Sequence, residues 1–185
     1  MTKKYELVLD DTISFRGWKL FRIRALISFG SIEAGDLGGY IEKEDNLSHD
    51  GNAWVSGNAE VSGNAKVSGN AKVSGNAEVS GNAKVWGNAW VSGNAEVWGN
   101  AWVSGNAEVS GNAEVSELGD IIVFKNHWSS GRHFTYTKSN KMWKVGCFYG
   151  TGQELIEKAY RDSEKSGNYY KACVDFVENL EKLGD

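Results

Sequence analysis

Proline is absent from the 185 residues, and cysteine, methionine and histidine are scarce, at two, two and three. Without proline there is no polyproline-type linker and no X-Pro bond to isomerise. Two cysteines, Cys147 and Cys173, make no metal-type cluster, so a structural metal is not expected and a reduced cytosolic setting is. No apolar run approaches the length of a membrane span. The opening Met1-Thr2-Lys3-Lys4-Tyr5-Glu6 carries no apolar core of a signal peptide. A formal net charge of −4 gives no global reason to expect a nucleic-acid partner.

Glycine, in contrast, is abundant at 23 residues, and most of it recurs at one phase of a repeat. From Gly51 to Ser116 the chain is eleven uninterrupted copies of Gly-Asn-Ala-x-Val-Ser/Trp. Ala-x-Val reads as a short strand, with Ala and Val facing one way and x the other. Ser-Gly-Asn reads as a corner: glycine tolerates the backbone of a tight turn and asparagine can hydrogen-bond its own turn. Six residues cannot bury their own Val and Ala, whereas stacked coils can, so the period predicts a β-solenoid. Three hexads would close one coil of 18 residues. The phase extends outward to Ile41 and Leu47, then past an insertion around His49-Asp50, and on to Ile121, for roughly 4.7 coils at about 4.8 Å each.

The flanks differ. Residues 1–38 read as a β cap, with strands over Tyr5-Leu9 and Leu20-Leu26 and turns at Asp10-Asp11 and Phe29-Gly30-Ser31. Residues 39–122 form the solenoid. Residues 123–185 read as a small α+β module, its first strand opening at Ile121-Ile122. Further strands cover Phe134-Thr137 and Met142-Phe148, and Cys147 reads as core. Thr151-Gly152-Gln153-Glu154 is a capping box opening a helix. Ser166-Gly167 reads as its end, before a second helix that buries Tyr169, Tyr170, Cys173, Val174, Val177 and Leu180.

The hexad resembles the signature of left-handed parallel β-helices, and that resemblance implies the hand and a triangular section. The block Gly35-Asp36-Leu37-Gly38-Gly39-Tyr40-Ile41, with Asn46-Leu47-Ser48 and Gly51-Asn52-Ala53-Trp54-Val55, resembles bacterial and prophage hexapeptide-repeat proteins, some labelled transferase-like. Val145-Gly146-Cys147-Phe148-Tyr149-Gly150-Thr151 is similar to small phage-encoded modules. The resemblance implies a phage or prophage protein acting in the cytoplasm of a bacterial host.

Many β-helix proteins are acyltransferases with a histidine base. Here His49, His127 and His133 all lie outside the perfect repeats. His49 occupies the inserted corner, where a catalytic histidine or a plain turn residue could stand. Gly150-Thr151-Gly152 lacks the lysine and spacing of a P-loop and reads as a helix cap. No catalytic residue and no cofactor are assigned.

The variable positions point outward on three faces. Trp54, Lys72, Trp90 and Glu108 share the first. Glu60, Glu78, Glu96 and Glu114 make the second a glutamate ladder, read either as a solvated face or as an acidic docking strip. Lys66, Lys84 and Trp102 share the third, and Trp86 and Trp98 replace corner serines. Trp86, Trp90, Trp98 and Trp102 would form an aromatic belt within one coil's length. Three occupants remain open for it: the C-terminal module folding back, a second copy in a dimer or trimer, or a foreign protein. The expected function is non-enzymatic binding of a host protein complex, such as an antiviral defence system, of which anti-CRISPR action is one version. The alternatives are an acyltransferase and a self-assembling scaffold.

Overall fold

The computed structural model describes residues 2–184. Met1 and Asp185, the outermost residues of the expected cap and module, lie outside them. Each hexad folds as a two-residue strand of x and Val, β4 to β14, running from Trp54–Val55 through Glu114–Val115. The strands stack in parallel with partners 18 residues apart, as in Trp54↔Lys72 and Lys72↔Trp90. Three parallel ladders result: β4-β7-β10-β13, β5-β8-β11-β14 and β6-β9-β12. The chain is therefore a β-solenoid of about four turns. Every repeat valine and alanine is at most 1% exposed. Each fully buried valine contributes about 1.5–3 kcal/mol, but only because a neighbouring coil covers it.

The corners explain the invariant residues. Gly75 has φ of +69°, and a Cβ there would lie 2.9 Å from Gly93 O in the next corner. Backbone conformation and coil spacing thus both demand glycine. Each corner asparagine from Asn52 to Asn94 donates its side-chain amide to the asparagine one coil on, as in Asn58 Nδ2 to Asn76 Oδ1 at 3.2 Å and Asn76 Nδ2 to Asn94 Oδ1 at 3.1 Å. Backbone N–H groups of the variable, serine and asparagine positions also point forward: Trp54 N donates to Ala71 O at 3.0 Å, Ser56 N to Val73 O at 2.9 Å and Asn58 N to Gly75 O at 2.9 Å.

A one-way ladder leaves carbonyls at its start and N–H groups at its end. Both ends meet complementary groups. At the start, Lys4 Nζ donates to Ala53 O at 2.8 Å and Gly51 O at 3.3 Å, and Asn46 Nδ2 to Ala65 O at 2.9 Å and Gly63 O at 3.2 Å. At the far end, Thr135 Oγ1 accepts from Glu108 N at 2.9 Å and Ser139 Oγ from Glu114 N at 2.8 Å. Asp120 Oδ2 accepts from Ser116 N at 2.7 Å.

The cap continues the glutamate-face sheet. β1 (Tyr5–Phe15) pairs antiparallel with β2 (Trp18–Ala25), which pairs with β3 (Leu37–Ile41), which leads in parallel into β5. The boundary expected at residue 38 thus falls inside β3. The turn expected at Asp10-Asp11 is instead an irregularity in β1, between the pairs at Val8 and Thr12. Asp11 is held there by Arg22 Nε at 2.8 Å. The true turn is Arg16-Gly17, both at positive φ (46° and 87°), the geometry that closes a two-residue hairpin.

The C-terminal module is a meander of β15 (Ile121–Lys125), β16 (His133–Thr137), β17 (Met142–Val145) and β18 (Phe148–Thr151), backed by α1 (Gly152–Asp162) and α2 (Glu164–Leu183). The single strand expected over Met142-Phe148 is a hairpin, turned at Gly146 with φ +56°, and this leaves Cys147 exposed rather than in the core. Thr151 caps α1 as expected. The helix break lies at Ser163, which caps α2 by accepting from Ser166 N at 3.1 Å. Gly167 sits inside α2 because a Cβ there would come within 2.2 Å of the Tyr160 ring. Tyr170, Val174 and Val177 are buried, whereas Tyr169 and Leu180 are exposed.

Lys4 makes the capping testable. Burial lowers its amine from 10.5 to about 8, against the pull of Asp50. Between these values the unfolded chain holds more protons than the folded one, so stability rises as pH goes from about 8 to 10.5. Lys4→Met should remove that rise. Above pH 10.5, where the amine is neutral in both states, it should cost on the order of 1–3 kcal/mol by orphaning two carbonyls. Urea denaturation across the alkaline range checks both.

Candidate interaction surface

The glutamate ladder forms in register: Glu60↔Glu78↔Glu96↔Glu114, headed by Tyr40. It is not the open strip that the sequence implied. The β1–β2 hairpin tip reaches over it, placing Arg16 Nη2 3.3 Å from Glu78 Oε2 and 3.6 Å from Glu96 Oε2. Glu60 Oε2 is buried without a hydrogen-bond partner. Burial raises the pKa of both Glu60 and Glu78, the next glutamate along raises it further, and Arg16 opposes both. Of the four, only Glu114 is exposed. An acidic docking strip, if used, is confined to its far end.

The tryptophans divide. Trp54 was expected to project into water but is only 4% exposed, because Phe29 folds over it with ring centroids 5.4 Å apart and Tyr5 abuts at 6.4 Å. Its position in the hexad equals that of Trp90, and the cap alone makes the difference. Trp90 is 44% exposed, with its indole N–H donating to Ser74 Oγ at 2.9 Å on the first face. The third face gathers the rest. Trp86 meets Trp102 edge-on at 5.4 Å, and Lys84 Nζ stands 5.1 Å over the Trp102 ring. Trp98 marks the opposite corner, under the coil that ends in Leu118, since Trp98 N donates to Val115 O at 2.9 Å. Trp98 and Trp102 are 45% and 47% exposed, and Leu118 is 61% exposed. The expected belt is thus two features on adjoining faces.

The C-terminal module does not fold back over these rings. It sits on the end of the stack through Thr135, Ser139 and Tyr149, whose hydroxyl donates to Ser110 O at 3.3 Å. Lys144 lies 3.9 Å from Glu108 there. Among the described residues, Lys66, Lys72 and Lys84 make no ion pair. Lys66 and Lys84 stack in register as like charges.

The histidines are engaged locally. His49 stacks on Tyr5 at 4.3 Å, and its Nδ1 accepts from Lys4 N at 3.2 Å. Its Nε2 lies 3.7 Å from Glu44 Oε2. Nδ1 therefore has no free lone pair for a substrate proton. His133 ends an asparagine ladder. Asn106 Oδ1 accepts from Asn88, so the Asn106 amide N–H faces His133 Nδ1 at 3.1 Å and leaves the ring proton on Nε2. His127 packs edge-on against Trp128 at 5.3 Å and Tyr169 at 5.5 Å. No helix of the described residues is long and apolar enough to cross a membrane.

No protein-family model matches the chain, and no curated protein sequence matches it.

The buried carboxylate yields a signed prediction. Glu60 titrates above 4.5 when folded, so the folded state holds the extra proton and stability falls as pH rises through that window. Glu60→Gln should therefore raise the urea midpoint at neutral pH, and the gain should vanish once pH drops below 4.5.

Proposed function

We propose that this protein is a non-enzymatic binding protein whose third solenoid face docks on another protein. The observation that carries the reading is the pair Trp98 and Trp102, each close to half exposed on a rigid β scaffold and uncovered by either end module. Clustered exposed indoles mark contact surfaces, and tryptophan is enriched among residues that dominate binding energy. A stacked ladder presents them pre-ordered, which lowers the entropy cost of binding. The unpaired Lys66 and Lys84 beside them favour a partner with acidic groups around an apolar centre. The engaged Nδ1 of His49 supports binding over acyl transfer.

The resemblance to prophage hexapeptide-repeat proteins gives the biological form of the reading: a phage-encoded protein in the bacterial cytoplasm that inhibits a host complex by contact. A second reading is self-association. The Lys66–Lys84 row and the open end of the glutamate row lie on different faces of one chain, so successive copies would associate by a head-to-tail contact of lysines on glutamates.

Affinity capture from a bacterial lysate with wild type and Trp98→Ala/Trp102→Ala tests the first reading. Reproducible retention of a host complex by wild type should weaken by about 2 kcal/mol or more in the variant. Retention of nothing, or equal retention by both, refutes it. Sedimentation over a concentration series reads out the second, with association lost in Lys66→Glu/Lys84→Glu.

A further inference from the structure

On the first face, away from the Trp98–Trp102 surface, a groove of about 410 Å³ opens between the cap loop and the coils. That volume suits a ligand of one or two rings. Trp54 and Trp90 flank Lys72 in one parallel ladder, two strand steps or about 9.6 Å apart. Both indoles are held in place: Trp54 by Phe29 and Tyr5, and Trp90 by its N–H bond to Ser74 Oγ. Lys72 is exposed and, among the described residues, without a carboxylate partner.

The polar groups define the ligand further. Ser74 Oγ accepts from Trp90, which leaves its own O–H free to donate outward. Asn52 begins its ladder, donating to Asn70 Oδ1 at 3.2 Å, with no asparagine on an earlier coil to fill its own Oδ1. The groove therefore offers an exposed indole at Trp90 facing the half-buried Phe29, one cation, hydroxyl donors and an amide acceptor. A purely apolar ligand would leave Lys72 and the hydroxyls idle. A phosphate group would want a cradle of backbone N–H groups, but around Lys72 the N–H groups of Ser56, Asn70, Lys72 and Ser74 are already donated to the next coil. A single carboxylate on a hydroxyl-rich ring uses every group present.

We propose that the groove between Trp54 and Trp90 binds an acidic saccharide, with a sugar ring against Trp90 and its carboxylate on Lys72. The site is independent of the protein-docking face. Titration calorimetry of the full chain with digalacturonic acid tests it, beside neutral galactobiose and adenosine monophosphate. Saturable binding of the acidic dimer is expected, about tenfold weaker for the neutral dimer and for Lys72→Met. Binding should be lost in Trp90→Ala and unchanged in Trp102→Ala. The half-exposed Trp90 lies outside the core, and circular dichroism confirms the fold of each variant. Three results overturn the assignment: no saturable binding of the acidic dimer, equal binding by wild type and both groove variants, or preferential binding of the nucleotide.

Discussion

The direction of the hydrogen-bond ladder governs this molecule. The N–H groups of the variable, serine-position and asparagine residues, and the corner asparagine amides up to Asn94, donate toward the C-terminal coil. Parallel stacking makes the arrangement cumulative, since each coil satisfies the one before it and exposes an equivalent set. The ends are then chemically unlike. The first needs donors and receives the ammonium of Lys4 and the amide of Asn46. The last needs acceptors and receives the hydroxyls of Thr135 and Ser139 and the carboxylate of Asp120. Neither end module is ornament: each also covers an edge that would otherwise recruit another chain.

Because the interior is uniform, individuality is confined to the outside. Apart from Trp54, which the cap buries, the variable residue of each hexad packs nothing inside the coil, so glutamates gather on one face while lysines and tryptophans share the other two. The cap then edits that pattern. Its hairpin lays Arg16 over the glutamates, and its Phe29 loop shelters Trp54. What remains open is a lysine and tryptophan face, and around one corner a groove between the Phe29 loop and the exposed indole of Trp90. The first has the character of a protein contact, and the second that of a small polar ligand site.

The solenoid was legible in the sequence because its determinants are local and repeated. Val, Ala, Gly and Asn each recur at one phase, and stacking turns phase into contact. The capping box at Thr151 was legible for the same reason, being read within four residues. What escaped depends on partners distant in sequence. Trp54 and Trp90 hold identical positions in identical hexads, and only the cap, through Phe29 and Tyr5, buries one of them. Arg16 gave no local hint that it would meet Glu78 and Glu96. Gly167 resembled a helix stop, whereas the neighbouring Tyr160 ring is what requires it. Gly146, inside an apolar run, was the missed mark of a turn.

The coils are interchangeable, and this has a consequence for how the chain finds its register. A slip of one coil, 18 residues in phase, would exchange valine for valine and asparagine for asparagine. The interior would not register the error. Unique contacts penalise it: among them Lys4 on the first coil, Arg16 on the second and third, and His133 on Asn106 at the end of its row. The same indifference lets a gene gain or lose whole coils by duplication without creating a new interface inside the stack. The lower limit on such shortening is the reach of one hairpin, because Arg16 must still find two glutamates to clasp.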